Sequence, residues 1–281
     1  MRHVPSAVRR ILPWIFGLGL ISGPALAVDP RPANATAQSA QAAVVPVGIL
    51  SEPGLLLTFD DRNLVNWEKQ LPLFAKYGAH VTFFIDHFDA LTAEQLGILR
   101  KLKKAGHAIG CHGLRHLKAV EYCEKNSVQK YLADEILPAI QRMEAAGFPP
   151  QAFAYPNSNH SGETDQALLK YFRHLRSGCR IEGAMDKTEG AFVKIADAGK
   201  AGRLDGLSFH PKTKTDNLVV QATKAIDRLK RNGELLVLYA HDIRNVNESG
   251  PKNFIAIEPL EEILAYAQRA GIKFYTYDEL P

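Results

Sequence analysis

An apolar run, Leu55-Leu56-Leu57-Thr58-Phe59, ends in two adjacent carboxylates, Asp60 and Asp61. Further along, a second apolar stretch ends in His112-Gly113-Leu114-Arg115-His116. One Asp and two His offer an oxygen and two imidazole nitrogens, a donor set suited to Zn²⁺ or a similar divalent ion that leaves positions open for water. If one position stays open for chemistry, the second Asp is free to act as a general base. Each piece has a plainer reading. An H-x-x-x-H arises often by chance among 10 histidines, and an Asp after a strand is commonly a helix N-cap. The chemistry is carried by their conjunction.

The elements that must position these residues alternate between strand-like and helix-like stretches. Leu55–Asp60, His80–Ile85, His107–Cys111, Ala152–Tyr155, Leu175, Leu204–Phe209, Leu235–Ala240 and Lys273–Tyr277 read as strands from their β-branched and apolar content. Between them, helices are expected near Trp67–Tyr77, ending at Gly78, and from Thr92, whose Gln95 completes a capping box, to Lys104. Others are expected at Ser127–Ala146, where Pro138 should kink or split the helix, at Thr164–Phe172, at about Asp216–Lys230 and at about Glu258–Ala270. Alternating strands and helices imply a parallel α/β sheet. The chemically loaded residues Asp60, Asp61, His112, Tyr155 and His241 all follow strands, and strand C-terminal ends are where a β/α barrel builds its active site.

The first 27 residues read as a signal peptide. Arg2, Arg9 and Arg10 precede the short apolar run Ile11 to Ile21, and Ala25-Leu26-Ala27 fits a cleavage site. That run is shorter than the ~20 residues a membrane span needs. Residues 28–47, rich in Ala, Pro, Gln, Ser and Thr, read as a flexible linker, leaving residues 48–281 as one catalytic domain. The expected location is therefore periplasmic or extracellular. Of the formal charge of +4, three positive charges lie in the signal segment, so the remaining chain is nearly neutral and has no electrostatic footprint for nucleic acid. Cys111, Cys123 and Cys179 are an odd set, so at least one is unpaired. In an extended segment neighbouring side chains face opposite ways, which turns Cys111 away from a metal held by His112 and makes it a buried thiol.

T-F-D-D, the H-x-x-x-H, the later Phe153-Ala154-Tyr155-Pro156 and a late strand ending in His241 together resemble the polysaccharide deacetylase family (NodB homology, carbohydrate esterase family 4). The resemblance spans about Leu55 to Tyr277 and implies a distorted, incomplete (β/α) barrel. It implies that Asp61, His112 and His116 hold the metal, with Zn²⁺ expected ahead of Co²⁺, Ni²⁺ or Mn²⁺. It implies that Asp60 is the base that deprotonates the attacking water and His241 the acid that protonates the leaving amine, with Asp242 helping to orient its loop. The backbone N–H of Tyr155 is expected to help hold the developing oxyanion, and Pro156 and Asn157 to meet the substrate. The activity implied is hydrolysis of N-acetyl groups on an acetamido-sugar polysaccharide or oligosaccharide, releasing acetate.

The chain departs from the family pattern in four places. Gly113 stands where Ser or Thr is usual, which loses a hydroxyl bond but no ligand. The Arg expected near Ala154 is missing; Arg176 and Arg180 are the candidates to replace it. Asn157-Ser158-Asn159-His160 replaces the usual Tyr-Gly, and His160 and Asn157 either line a sugar site or form a solvated turn. No Asp and Trp flank His241 in sequence: Asp186, Asp197 and Asp205 are candidates for the orienting acid, and Trp14 and Trp67 lie elsewhere. Tyr239 and Phe209 are expected to pack in the core rather than stack on a sugar. Two other functions compete: an esterase or amidase acting on another acylated glycan, and a non-catalytic glycan-binding protein on the same scaffold. An intact set of Asp60, Asp61, His112, His116 and His241 argues against the last.

Overall fold

The computed structural model describes residues 50–210, 217–250 and 252–281. The expected signal peptide and linker lie outside the described residues. Among the described residues twelve strands run β1 (Gly54–Asp60), β2 (Val81–Ile85), β3 (Ala108–Cys111), β4 (Ala152–Ala154), β5 (His174–Arg176), β6 (Gly178–Cys179), β7 (Phe192–Lys194), β8 (Gly206–Ser208), β9 (Glu234–Ala240), β10 (Asp242–Arg244), β11 (Phe254–Ala256) and β12 (Lys273–Phe274). The principal sheet has the order β5-β4-β3-β2-β1-β9-β8-β6, with all neighbours parallel. Antiparallel β7 adds to β9, and β12 pairs with the start of β1. Every residue of β1 is buried, as expected for a central strand covered on both faces.

The sheet curls into a nearly closed barrel because one segment, His174–Cys179, has partners on both sides. Its first half pairs with β4. On the other side Leu175 N–H donates to Gly202 O (2.8 Å), Leu204 N–H to Leu175 O (2.9 Å) and Gly206 N–H to Ser177 O (2.8 Å). Along β1 the two faces separate by alternation. Leu55, Leu57 and Phe59 join the large core beneath the helices. Leu56 faces inward with Phe84, Ala152, Ala154, Leu235 and Val237, joined by Tyr277 and Leu280 from the C-terminal residues. Thr58 and Asp60 continue the inward face, so Asp60 enters the barrel at its C-terminal rim.

The helices form where their signals lie, with two informative breaks. The stretch expected as one helix is two, Leu64–Lys69 and Leu71–Tyr77, split at Gln70 because Pro72 opens the second; Gly78 closes it in the left-handed conformation (φ 62°). The capping box at Thr92 and Gln95 is present on the helix Ala93–Lys104. Ser127 caps the next helix, Val128–Tyr131, which passes through a π turn at Leu132–Ile136 before Leu137–Ala145. Pro138 explains the break: it brings no N–H for the carbonyl of residue 134. A short helix, Ala119–Lys125, and the small parallel sheet of β10 and β11 carry too few periodic residues to be read from sequence. No helix of the described residues is long and apolar enough to cross a membrane.

Candidate active site

The C-terminal ends of the parallel strands open into a cleft of about 330 Å³, lined among others by Asp60, Asp61, His112, His116, Tyr239 and His241. The strand register explains the gathering: Asp60 pairs with Phe84, Phe59 with Ala240 and Ile85 with Cys111, so β1, β2, β3 and β9 finish together. Four of the five non-glycine residues with positive φ among the described residues line this cleft: Asp61 (78°), His116 (57°), Asn157 (54°) and Ser158 (55°). Such conformations cost energy and persist only where the surroundings impose them, which is common at functional sites.

On one wall, the ligand atoms of Asp61, His112 and His116 lie within 4.8 Å of one another. Asp61 Oδ1 is 3.7 Å from Nε2 of His112 and 3.7 Å from Nε2 of His116. Bonds of about 2.0–2.2 Å to a tetrahedral ion put donors about 3.3–3.6 Å apart, so these three residues fit a divalent cation with little movement. His112 donates from Nδ1 to the Ala154 carbonyl (2.7 Å), which fixes the tautomer with its Nε2 lone pair toward the cleft. Burial, offset in part by Asp60, pushes His112 down to about 4, so its imidazole is neutral at neutral pH. Burial and the carboxylates of Asp60 and Asp86 push Asp61 up to about 6; a cation is the charge that reverses this. Cys111, fully buried, takes no part: burial pushes its thiol up to about 12, and all three cysteines are free.

Asp60 stands beside this cluster, 2 % exposed. Its Oδ1 accepts from Nη2 of Arg176, which is 1 % exposed and lies at the end of β5. Burial alone would raise the Asp60 carboxyl, but Arg176, with His112 and His241, outweighs it and holds the pKa below the usual carboxylate range. The Arg176 guanidinium sits between two rings, 5.3 Å from the centroid of Phe84 and 4.8 Å from that of Tyr239. Arg176 thus supplies the cation missing from the Ala154 position. Arg180 is exposed and does not line the cleft.

His241 stands at the exit of β9 on the same cleft. Trp67 reaches it from the first helix, donating from Nε1 to the His241 carbonyl (2.8 Å) while stacking on Phe83. A tryptophan therefore does support the late histidine, through space rather than through sequence proximity. Asp242 does not touch the imidazole; its carboxylate accepts from Asn66 Nδ2 (2.9 Å) and Ile243 N–H (2.8 Å) and faces Arg244. None of the three acids considered as orienting groups reaches His241: Asp205 is held by Arg203, Asp186 pairs with Lys187 and Asp197 with Lys200. Among the described residues nothing hydrogen-bonds the buried Nδ1 of His241. Burial lowers its pKa, with Asp60 opposing. His210 is the nearest ring partner that the sequence did not single out, its centroid 5.5 Å away.

Three expectations need correction. The Tyr155 N–H donates to the Arg176 carbonyl (2.9 Å), extending the β4–β5 ladder, so it is committed to the sheet and does not face an oxyanion. Pro156 is buried and does not line the cleft, whereas Asn157 and Ser158 do. Tyr239 lines the cleft, while Phe209 packs in the core as expected. The turn after Asn157 is pinned from both sides: Asn159 Oδ1 accepts from Val120 N–H (2.7 Å) at the start of the helix Ala119–Lys125, and His160 lies against Arg203 (3.0 Å).

Comparison with known proteins agrees with this architecture. No curated protein matches the chain. The structure resembles the Xyl-CE4 domain of a multidomain xylanase from the hindgut metagenome of Trinervitermes trinervoides, at 15% identity and a TM-score of 0.51, covering 82% of this chain and 89% of that one. It also resembles the catalytic domain of a peptidoglycan N-acetylglucosamine deacetylase from Eubacterium rectale, at 16% identity and a TM-score of 0.50, covering 83% and 92%. These likenesses establish the fold, a NodB-type (β/α) barrel. The family model for polysaccharide deacetylase matches residues 48–172, a span that holds Asp60, Asp61, His112 and His116 and stops short of Arg176 and His241. Residues 48–172 are thus similar to the polysaccharide deacetylase family, and the barrel they help to build is of the NodB type.

Proposed function

We propose that the chain is an exported, zinc-dependent hydrolase that removes N-acetyl groups from an acetamido-sugar polysaccharide. The observation carrying this reading is the pairing, in one cleft, of a buried ionised Asp60 with a cation site of one carboxylate and two imidazoles. Asp61, His112 and His116 are the residues that would hold the ion; the mixed oxygen and nitrogen set suits Zn²⁺, with Co²⁺, Ni²⁺ or Mn²⁺ as substitutes. When bound, such an ion supplies Lewis acidity, polarising a carbonyl and making water acidic near neutral pH. Asp60, held ionised by Arg176, accepts the proton of the attacking water. His241 delivers a proton to the amine nitrogen as the C–N bond breaks, and acetate leaves. Arg2, Arg9, Arg10 and the Ala25-Leu26-Ala27 site support export to the periplasm or beyond, with maturation after Ala27.

That no described residue hydrogen-bonds Nδ1 of His241 favours one competing reading, ester hydrolysis on an acylated glycan. An alkoxide leaves with less help from an acid than an amine does. His241→Ala is expected to slow amide cleavage by about 10²-fold, the lower end for general acid–base catalysis, because no carboxylate among the described residues fixes its tautomer. Acetate release at saturating zinc checks this, and an unchanged rate would remove His241 as the acid.

The deciding experiment is acetate release by the chain from Val28 onward on N-acetylated and O-acetylated glycans, before and after chelation and zinc restoration. Release from N-acetylated polymers that stops on chelation and returns with zinc is the expected result. Release from esters alone would replace the amidase reading. Release unaffected by chelation would end the metal reading.

A further inference from the structure

The two imidazoles on the proposed metal wall are anchored in different ways. His112 is set by the sheet: its N–H donates to Ile85 O (2.9 Å) and its Nδ1 to Ala154 O (2.7 Å). His116 sits four residues on, in a loop, with a left-handed backbone (φ 57°) that is uncommon for a residue other than glycine. Its flanking amides share one acceptor. Arg115 N–H donates to Oε1 (3.1 Å) and Oε2 (3.0 Å) of Glu135, and Leu117 N–H donates to Oε1 (3.0 Å). Glu135 is 0 % exposed and stands in the π turn before Pro138. The carbonyl of Asp134, the residue whose helical donor Pro138 lacks, accepts instead from Arg115 Nη2 (2.8 Å). The same loop is therefore tied twice to one helical irregularity. Room for the carboxylate comes from Gly113, at φ +87°: a Cβ there would overlap Glu135 Oε1.

We infer that Glu135 is a positioning residue whose buried carboxylate, admitted by the missing side chain at Gly113, holds His116 in its ligating conformation. This rests on the reading of Asp61, His112 and His116 as metal ligands. It gives the Gly113 departure a meaning: what a hydroxyl would do within the loop is done by a carboxylate from outside it. It also gives the π turn a function, since both groups that hold the loop, the Glu135 carboxylate and the Asp134 carbonyl, stand within it. Glu135 does not line the cleft; it acts through the backbone on either side of His116.

The test is zinc affinity, measured by competition with a chromophoric chelator on the full chain, for the parent, Glu135→Gln and Gly113→Ala. Gln keeps the shape but turns an NH₂ toward amides that need an acceptor. Ala at 113 leaves Glu135 in place and pushes its carboxylate aside, so it carries the test should Glu135→Gln fail to fold. Either variant is expected to bind zinc about 10–100-fold more weakly, the range for partners that orient a ligand. Acetate release should fall at limiting zinc and recover at saturating zinc with KM for glycan unchanged, which a general loss of structure would not produce. Parental zinc affinity in folded variants would overturn the inference, even if they melt earlier. A parent that binds no zinc would instead overturn the ligand reading beneath it.

Discussion

Asp60→Asn is expected to lower kcat by about 10²–10⁴-fold, the span removed with a general base, while zinc stays bound at Asp61, His112 and His116. Asn matches Asp in shape and can still accept from Arg176, but at neutral pH it cannot take a proton from water. The variant should also be less stable. Arg176 is 1 % exposed, and stripping a buried ion pair of one charge costs roughly 3–5 kcal/mol because the other stays uncompensated. The rate must therefore be measured where circular dichroism shows the variant folded, with zinc content determined on the same sample. A folded, zinc-loaded Asp60→Asn whose kcat lies within about tenfold of the parent's would sink the assignment of Asp60 as base.

What the sequence made legible was whatever is local. Strand exits carrying Asp60, Asp61, His112 and His241, the capping box at Thr92 and the disturbance around Pro138 all depend on residues within a turn or two of one another. What stayed hidden depends on strand order. Arg176 meets Asp60 across 116 positions of chain, because β5, at the far edge of the sheet order, curls round until its end faces the barrel interior. From sequence it was one of two arginines with nothing to separate them. Trp67 reaches His241 across 174 positions through the packing of the first helix against the end of β9, so a search for a tryptophan near residue 241 could not find it. The Tyr155 N–H was misread for the related reason that its partner, the Arg176 carbonyl, belongs to a neighbouring strand. Tyr239 looked like a core residue because its strand is apolar, yet it lines the cleft and is one of the two rings over which Arg176 lies.

The second large effect is expected at Arg176 itself. Arg176→Met removes the charge that outweighs burial at Asp60, leaving only His112 and His241, and His112 is neutral above about pH 4. The Asp60 carboxyl should then rise above the usual carboxylate range. In the metal-free parent, a depressed Asp60 contributes stability that is present above the unfolded carboxylate pKa of about 3.9 and lost as pH falls through the lower folded value. In the variant the sign reverses: the folded state holds its proton longer than the unfolded one, so stability falls as pH rises from about 4 towards the raised pKa. The loss at neutral pH should approach about 3–5 kcal/mol, and the acid limb of the kcat/KM profile should move to higher pH. Arg176→Lys keeps the charge without the planar fork, and should restore the parental slope more fully than the parental rate. In the double variant with Asp60→Asn the stability losses should not add, since each removes the same pair. Urea titrations across pH 3–8 (roughly the range where a displaced carboxylate titrates) read the slope directly. An Arg176→Met chain with the parental slope and acid limb would mean that Asp60 is kept ionised by something other than Arg176.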